Sequence, residues 1–212
     1  MNKFFFKFSR TQKIRLKKNI FANINSEVLQ VTSQLAYPPL MMLVLGMENF
    51  GIWIFFTSIP NLLLIFNLNF NNAVIQEMTI FHSKGNKSKV EQIYQNGIAL
   101  TLLNILIFGL IALFSYFFFK FDFSIVKNLP KYEINIILLL IILSTLINIF
   151  NGIFTSGIYF QGKQFVVTNI SFISEFFLKV GIIFLGLFFK DLIYVAIFYF
   201  VFTLFISLVY FY

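Results

Sequence analysis

The chain has 212 residues, of which 59% are hydrophobic and only 11% charged, and its mean hydropathy is +0.87. A soluble domain is about half apolar and a quarter charged, so the composition excludes an ordinary soluble fold. The net charge of +8 would suit nucleic acid, but the basic residues crowd at the N-terminus and in short loops between apolar runs, where anionic lipid headgroups are the nearer partner. No aromatic-plus-basic platform lies outside those runs, so nucleic acid is not an expected partner.

A bilayer core about 30 Å thick needs about 20 apolar residues at about 1.5 Å each, and the sequence supplies such runs repeatedly. The expected fold is an all-α membrane protein, a bundle of about six transmembrane helices. Residues 1–18 form a basic N-terminal segment, too long, and followed by a run too long and polar, to be a cleaved signal peptide. Span one covers about 19–45, is broken by Pro38-Pro39, since prolines kink a membrane helix, and ends in the polar turn Gly46-Met47-Glu48-Asn49. Span two covers about 50–73 and leads into the polar segment Gln76 to Gln95, read as a loop plus an amphipathic lead-in. Within that segment His82 reads as a solvated loop residue. Span three covers about 97–119 and is followed by the polar link Lys120 to Glu133. Span four covers about 134–160, Gln161-Gly162-Lys163-Gln164 turns the chain, span five covers about 165–189, Lys190-Asp191 is a minimal hairpin, and span six covers 192–212.

Lys and Arg in short loops set orientation, because positive flanks resist translocation. With the N-terminus inside, the cytoplasmic side takes Lys3, Lys7, Arg10, Lys13, Arg15, Lys17, Lys18, Lys84, Lys87, Lys89 and Lys163. The opposite side takes only Lys120, Lys127, Lys131 and Lys190. The N-terminus is therefore expected in the cytoplasm. Span six stops at Tyr210-Phe211-Tyr212 without a basic anchor, which suggests a truncated gene or a piece of a longer chain.

Polar residues that persist inside spans mark candidate sites. In span one Asn23, Glu27, Gln30 and Gln34 fall within about 60° of one another around the helix axis and form one wet face. In span four Ser144, Asn148, Gly152 and Ser156 step by four, with Asn151 and Thr155 beside them. That small-and-polar stripe reads as interhelical hydrogen bonding or as a cavity wall. In span five Thr168, Ser171, Glu175 and Lys179 share a face, and Glu four residues before Lys is the favourable order for a pair on one helix. A charge near mid-membrane costs at least about 2.5–3.5 kcal/mol, so Glu175 and Lys179 need each other, a neighbouring helix, or a watery cavity. Two readings stand: the pair glues span five to its neighbours, or Lys179 offers positive charge to an anionic group while Glu175 sets its protonation. Glu27 near the end of span one has the plainer option of reaching toward Lys17, Lys18 or water.

No catalytic set appears. The sequence has no Gly-rich phosphate loop, no nucleophile with a His partner and no carboxylate cluster, and without cysteine it has neither disulfides nor thiolate metal sites. Neither an enzyme nor a bound cofactor is expected.

The stretch Leu35-Ala36-Tyr37-Pro38-Pro39-Leu40, continuing through Leu45-Gly46-Met47-Glu48-Asn49-Phe50-Gly51-Ile52-Trp53, resembles the end of the first helix and start of the second in polysaccharide flippases. These are the O-antigen and teichoic-type transporters of the multidrug/oligosaccharidyl-lipid/polysaccharide exporter superfamily. Phe50 stands where the family pattern has Tyr. Asn67 to Glu77 is similar to the family's Asp-Leu-Gly-Leu-Gly-Asn segment, with Asn67, Asn69 and Asn71 as substitutions, and the basic loop Lys84 to Glu91 also fits. The match is specific over roughly residues 20 to 95. It implies the N-terminal half of a transporter about twice this length, in the bacterial inner membrane, whose two halves enclose a cavity of alternating access. The implied substrate is a polyprenyl-diphosphate-linked oligosaccharide, and the implied partner is a second copy or a separately encoded half. Lys179, Glu175, Glu27, Gln30, Gln34 and Asn148 are the expected cavity residues, and they rest on the physics of the polar stripes. Two other readings are a membrane-embedded enzyme or accessory subunit of glycan assembly, and a cation-coupled multidrug antiporter of the same superfamily that would use Glu27 or Glu175.

Overall fold

The computed structural model describes residues 10–118 and 130–211; the side chains of 10–12, 59–69, 112 and 115–118 are not among the described ones. Lys3, Lys7, Lys120, Lys127 and most of the link after span three lie outside the described residues, as do the side chains of Arg10, Asn67 and Asn69. Among the described residues there are six α-helices: α1 (Arg10–Leu45), α2 (Met47–Ser83), α3 (Lys87–Phe118), α4 (Lys131–Tyr159), α5 (Gln164–Phe189) and α6 (Leu192–Phe211). Among the described residues five stretches, Lys13–Leu45, Lys87–Ile111, Lys131–Tyr159, Gln164–Phe189 and Leu192–Phe211, are long and apolar enough to cross a membrane. The chain is thus a multi-pass, all-α membrane protein.

Four expectations about local structure change. The segment from Gln76, read as a loop, is helical up to Ser83, and only Lys84 to Asn86 turn the chain before α3. Val74, Met78 and Phe81 keep helical spacing through the polar residues and pack with Ile93 and Val90 of α3, so the hairpin stays helical beyond the apolar run. His82 accordingly belongs to the last turn of α2, exposed and edge-on to the Phe160 ring at 5.8 Å. Finally, α1 runs unbroken as a helix through Pro38 and Pro39, and the four-residue turn after it shrinks to Gly46, whose φ of 82° is one that glycine adopts without strain.

Short turns reverse the chain between α1 and α2, α2 and α3, α4 and α5, and α5 and α6, and contacts between matching ends set α1 parallel to α5 and α4 parallel to α2 and α6. Helix α4 is the hub, in contact with α2, α3, α5 and α6, while α1 lies against α5 and α2. Two apolar clusters result. The larger joins Met41 and Val44 of α1, Phe50, Trp53 and Phe56 of α2, Ile134, Ile137 and Ile141 of α4, Ile182 of α5 and Val195 of α6. The smaller joins Val74, Met78, Ile93 and Ile153 close to the N-terminal end. The first lies at the far end of the bundle, and the more polar middle of α1, α4 and α5 falls between them.

Close approach fixes how α5 sits against α1. A Cβ at Gly186 would stand 2.6 Å from Val44 Cγ1 and 3.2 Å from Leu45 Cδ2, whereas one at Gly51 would meet nothing within 4 Å. Gly186→Val should therefore cost about 1–3 kcal/mol by overpacking, read as a lower melting midpoint in detergent, while Gly51→Ala is neutral or mildly stabilising. Equal midpoints for the two variants would contradict this packing.

Candidate functional site

Lipid offers no hydrogen bonds, so a polar side chain kept in a membrane helix needs a partner on a neighbour, on its own backbone, or in a water-filled path. Along the parallel pair α1 and α5 that requirement draws a polar seam, with contacts at the N-terminal end and again at mid-length. At the N-terminal end Asn19 Oδ1 accepts the Phe165 backbone N–H at 2.9 Å, and Arg15 Nη1 donates to the Gln161 carbonyl at 3.1 Å. One turn further Thr168 Oγ1 donates to Asn23 Oδ1 at 3.4 Å. At mid-length Lys179 Nζ donates to Ser33 Oγ at 2.7 Å and to Glu175 Oε1 at 2.5 Å, and stands 5.7 Å from the centre of the Tyr37 ring.

Lys179 lies about 22 Å from the start of α5 and about 15 Å from its end at about 1.5 Å per residue, close to the middle of the span. Its side chain is 21% exposed and that of Glu175 47%. The ammonium is thus tucked between the helices with a carboxylate, a hydroxyl and an aromatic face around it, while the carboxylate opens outward. Hydrogen bonds to charged partners are about twice as strong as neutral ones, and the aromatic face adds cation–π attraction. Together these offset the insertion cost of the cation, and leave Glu175 with acceptor capacity for something else.

The structure brings some expected site residues together and separates others. Glu175 and Lys179 meet as expected. Glu27, Gln30 and Gln34 are exposed on the flank of the seam, with Gln30 at about the depth of Glu175. The face of α1 that touches α5, carrying Asn19, Ser33 and Tyr37, is rotated by about 70° from the amide face at 100° per residue. Asn23 sits on the border of the two. Asn148 is half-buried on α4, away from this seam. In α4 the serines and threonines turn back on their own helix instead of bridging: Ser144 to Leu140, Thr145 to Ile141, and Thr155 and Ser156 to Gly152. Asn151, by contrast, crosses between helices, accepting from Ser207 of α6 at 2.7 Å. Ser171 likewise leaves the α5 stripe to meet Tyr210 of α6 at 2.8 Å.

Ser33 and Tyr37 were not among the sequence-derived candidates. Their signal was present, since Asn19, Asn23, Ser26, Ser33 and Tyr37 recur at steps that return to one helix face, but serine and tyrosine are cheaper to keep in a membrane helix than Glu and Gln and so mark a site less sharply. Among the described residues no group of three or more His, Asp or Glu is placed to hold a metal ion.

Comparison of the chain with family models, with curated proteins and with solved structures gave no match.

Because Lys179 and Glu175 hold each other inside the span, they should act as a unit. In a double-mutant cycle with Lys179→Met and Glu175→Gln, each single change leaves an uncompensated partner, and the double change recovers part of the loss. The expected coupling is about 1 kcal/mol, measured from reversible unfolding in mixed micelles; strictly additive losses would show that the pair contributes nothing jointly.

Proposed function

We infer that the chain is a membrane transporter subunit that moves a polyprenyl-diphosphate-linked oligosaccharide across the cytoplasmic membrane, as one six-helix bundle working beside a second. The observation that carries this reading is Lys179: a cation kept mid-membrane on the edge of an open polar strip made by Glu175, Gln30, Gln34 and Glu27. Anions in a low-dielectric path need a nearby positive charge, and an ammonium held by one carboxylate can exchange it for a diphosphate oxygen. The strip itself suits hydroxyl-rich sugars, since amides and carboxylates both accept and, for Gln, donate. The resemblance of the Pro38 to Trp53 stretch to polysaccharide flippases supports the same class of cargo.

The N-terminus lies in the cytoplasm in this reading. Among the described residues Lys13, Arg15, Lys17, Lys18, Lys84, Lys87, Lys89 and Lys163 sit at the N-terminal end of the bundle and only Lys131 and Lys190 at the other, the asymmetry that retains a loop on the inner side. Glu175 also gives the antiporter reading its one specific observation, a carboxylate open to the strip and able to take a proton or sodium ion in place of Lys179.

Lys179→Ala should lower the initial rate of translocation of a fluorescent polyprenyl-diphosphate oligosaccharide in proteoliposomes at least about tenfold, the equivalent of about 1.4 kcal/mol, with membrane insertion unchanged; Lys179→Arg should keep part of the rate. Normal translocation by the alanine variant overturns the reading. A rate that falls with Glu175→Gln while a proton or sodium gradient ceases to matter would move the chain to the antiporter class.

A further inference from the structure

Beside the N-terminal end of the α1–α5 seam, and well short of Lys179, an open groove of about 280 Å³ lies near the N-terminal end of α3 and the C-terminal end of α4, lined by Tyr94, Phe154, Gly157, Ile158, Phe160 and Gln161. Its floor is apolar and its width depends on Gly157, where a Cβ would stand 3.4 Å from the Tyr94 ring. Tyr94 lies seven residues into α3, about 10 Å along the helix at about 1.5 Å per residue, a depth that suits the boundary between headgroups and acyl chains.

The rim of the groove is cationic. Arg15 spends one donor on the carbonyl of Gln161, a lining residue, at 3.1 Å, and a guanidinium has four more. Lys84 stands 5.3 Å over the ring of Phe81, and Phe81 packs in the same cluster as Tyr94, Phe154 and Phe160. Both Arg15 and Lys84 are exposed. The adjoining helix ends and turns add Lys87, Lys89 and Lys163 against the carboxylate Glu91.

We propose that this groove binds an anionic phospholipid of the leaflet at the N-terminal end of the bundle, with an acyl chain against Tyr94, Phe154 and Ile158 and its phosphate held by Arg15 and Lys84. The division of labour follows from the solvent. Lipid tails are as apolar as the groove wall, so the wall positions the chain but gives little preference between lipids. Preference comes from the rim, where each basic residue near the surface favours an anionic headgroup about fivefold. The site is independent of the transport reading, because it uses neither Lys179 nor the polar strip.

The test is photolabelling of the full chain in phosphatidylcholine vesicles doped with a diazirine-acyl phosphatidylglycerol or, in parallel, a diazirine-acyl phosphatidylcholine. The expected result is at least about fivefold more adduct from the glycerol probe on peptides containing Tyr94 and on those spanning Phe154 to Ile158, an excess lost in Arg15→Gln/Lys84→Gln. Gly157→Phe should reduce labelling by both probes by filling the groove. Lys84→Gln alone, which leaves the Arg15–Gln161 bond in place, should lose part of the excess and decides the question even if the Phe variant does not fold. Equal labelling by the two probes, or an excess that survives the charge variant, overturns the proposal. So does an excess that unlabelled polyprenyl diphosphate removes and unlabelled phosphatidylglycerol does not, which would assign the groove to transported lipid.

Discussion

An ammonium group near the middle of a membrane helix is the constraint on which this arrangement turns. Lys179 is tolerable there only if oxygen surrounds it, and the oxygen comes from two places: Glu175 one turn back on its own helix and Ser33 on α1. The first contact is available to any α5 helix. The second requires α1 to lie alongside α5 in the same direction and at one depth, and Asn19 against Phe165 and Asn23 against Thr168 repeat the same register toward the N-terminal end. Toward the far end Gly186 lets Val44 and Leu45 close the contact. A parallel pair separated by more than a hundred residues of chain is thereby tied by polar bonds at one end and by close packing at the other.

Around that pair the rest of the bundle is built by ordinary means. Helix α4 carries Ile134, Ile137, Ile141, Ile149 and Ile153, all fully or nearly buried, and supplies the apolar surface on which α2, α3 and α6 assemble. Its hydroxyls bond to carbonyls on their own helix, so they present small, already satisfied groups to their neighbours and allow close approach without depending on a particular partner. The polar character of α4 is therefore largely internal to the helix, whereas that of α1 and α5 is shared between helices and left partly open. In the proposed transport reading, this difference directs a polar cargo to the α1–α5 flank and not to the α4 stripe.

The helices were legible in the sequence because apolar runs of membrane length leave little choice. Glu175 and Lys179 were legible because opposite charges one turn apart on an apolar helix reach each other without help from any other element. The extension of α2 to Ser83 was hidden by Gln76, Glu77 and His82, which look like loop residues, although Val74, Met78 and Phe81 preserve the helical repeat beneath them. On α1 the conspicuous amides drew attention to a face that turns out to be exposed, while the contact with α5 runs through the quieter residues Ser33 and Tyr37. The direction in which the α4 hydroxyls donate was not legible at all: the same spacing serves a bond to the residue four back and a bond to another helix, and only the packing around α4 decides between them. The groove beside Tyr94 and Phe154 escaped the sequence for a related reason, being assembled from ordinary apolar residues whose meaning depends on the turn that Arg15 holds.

A strip of Glu27, Gln30, Gln34 and Glu175 that receives a polar cargo must be wet at mid-membrane depth. The chain has no cysteine, so single cysteines can be placed at Gln34 and at Leu35, neighbours at one depth whose side chains point about 100° apart; Leu35 is 73% exposed on the apolar side. Reaction with a charged, membrane-impermeant thiol reagent in sealed vesicles measures the contact of each with water. Gln34→Cys should react and Leu35→Cys should not; equal protection of both would contradict a wet strip.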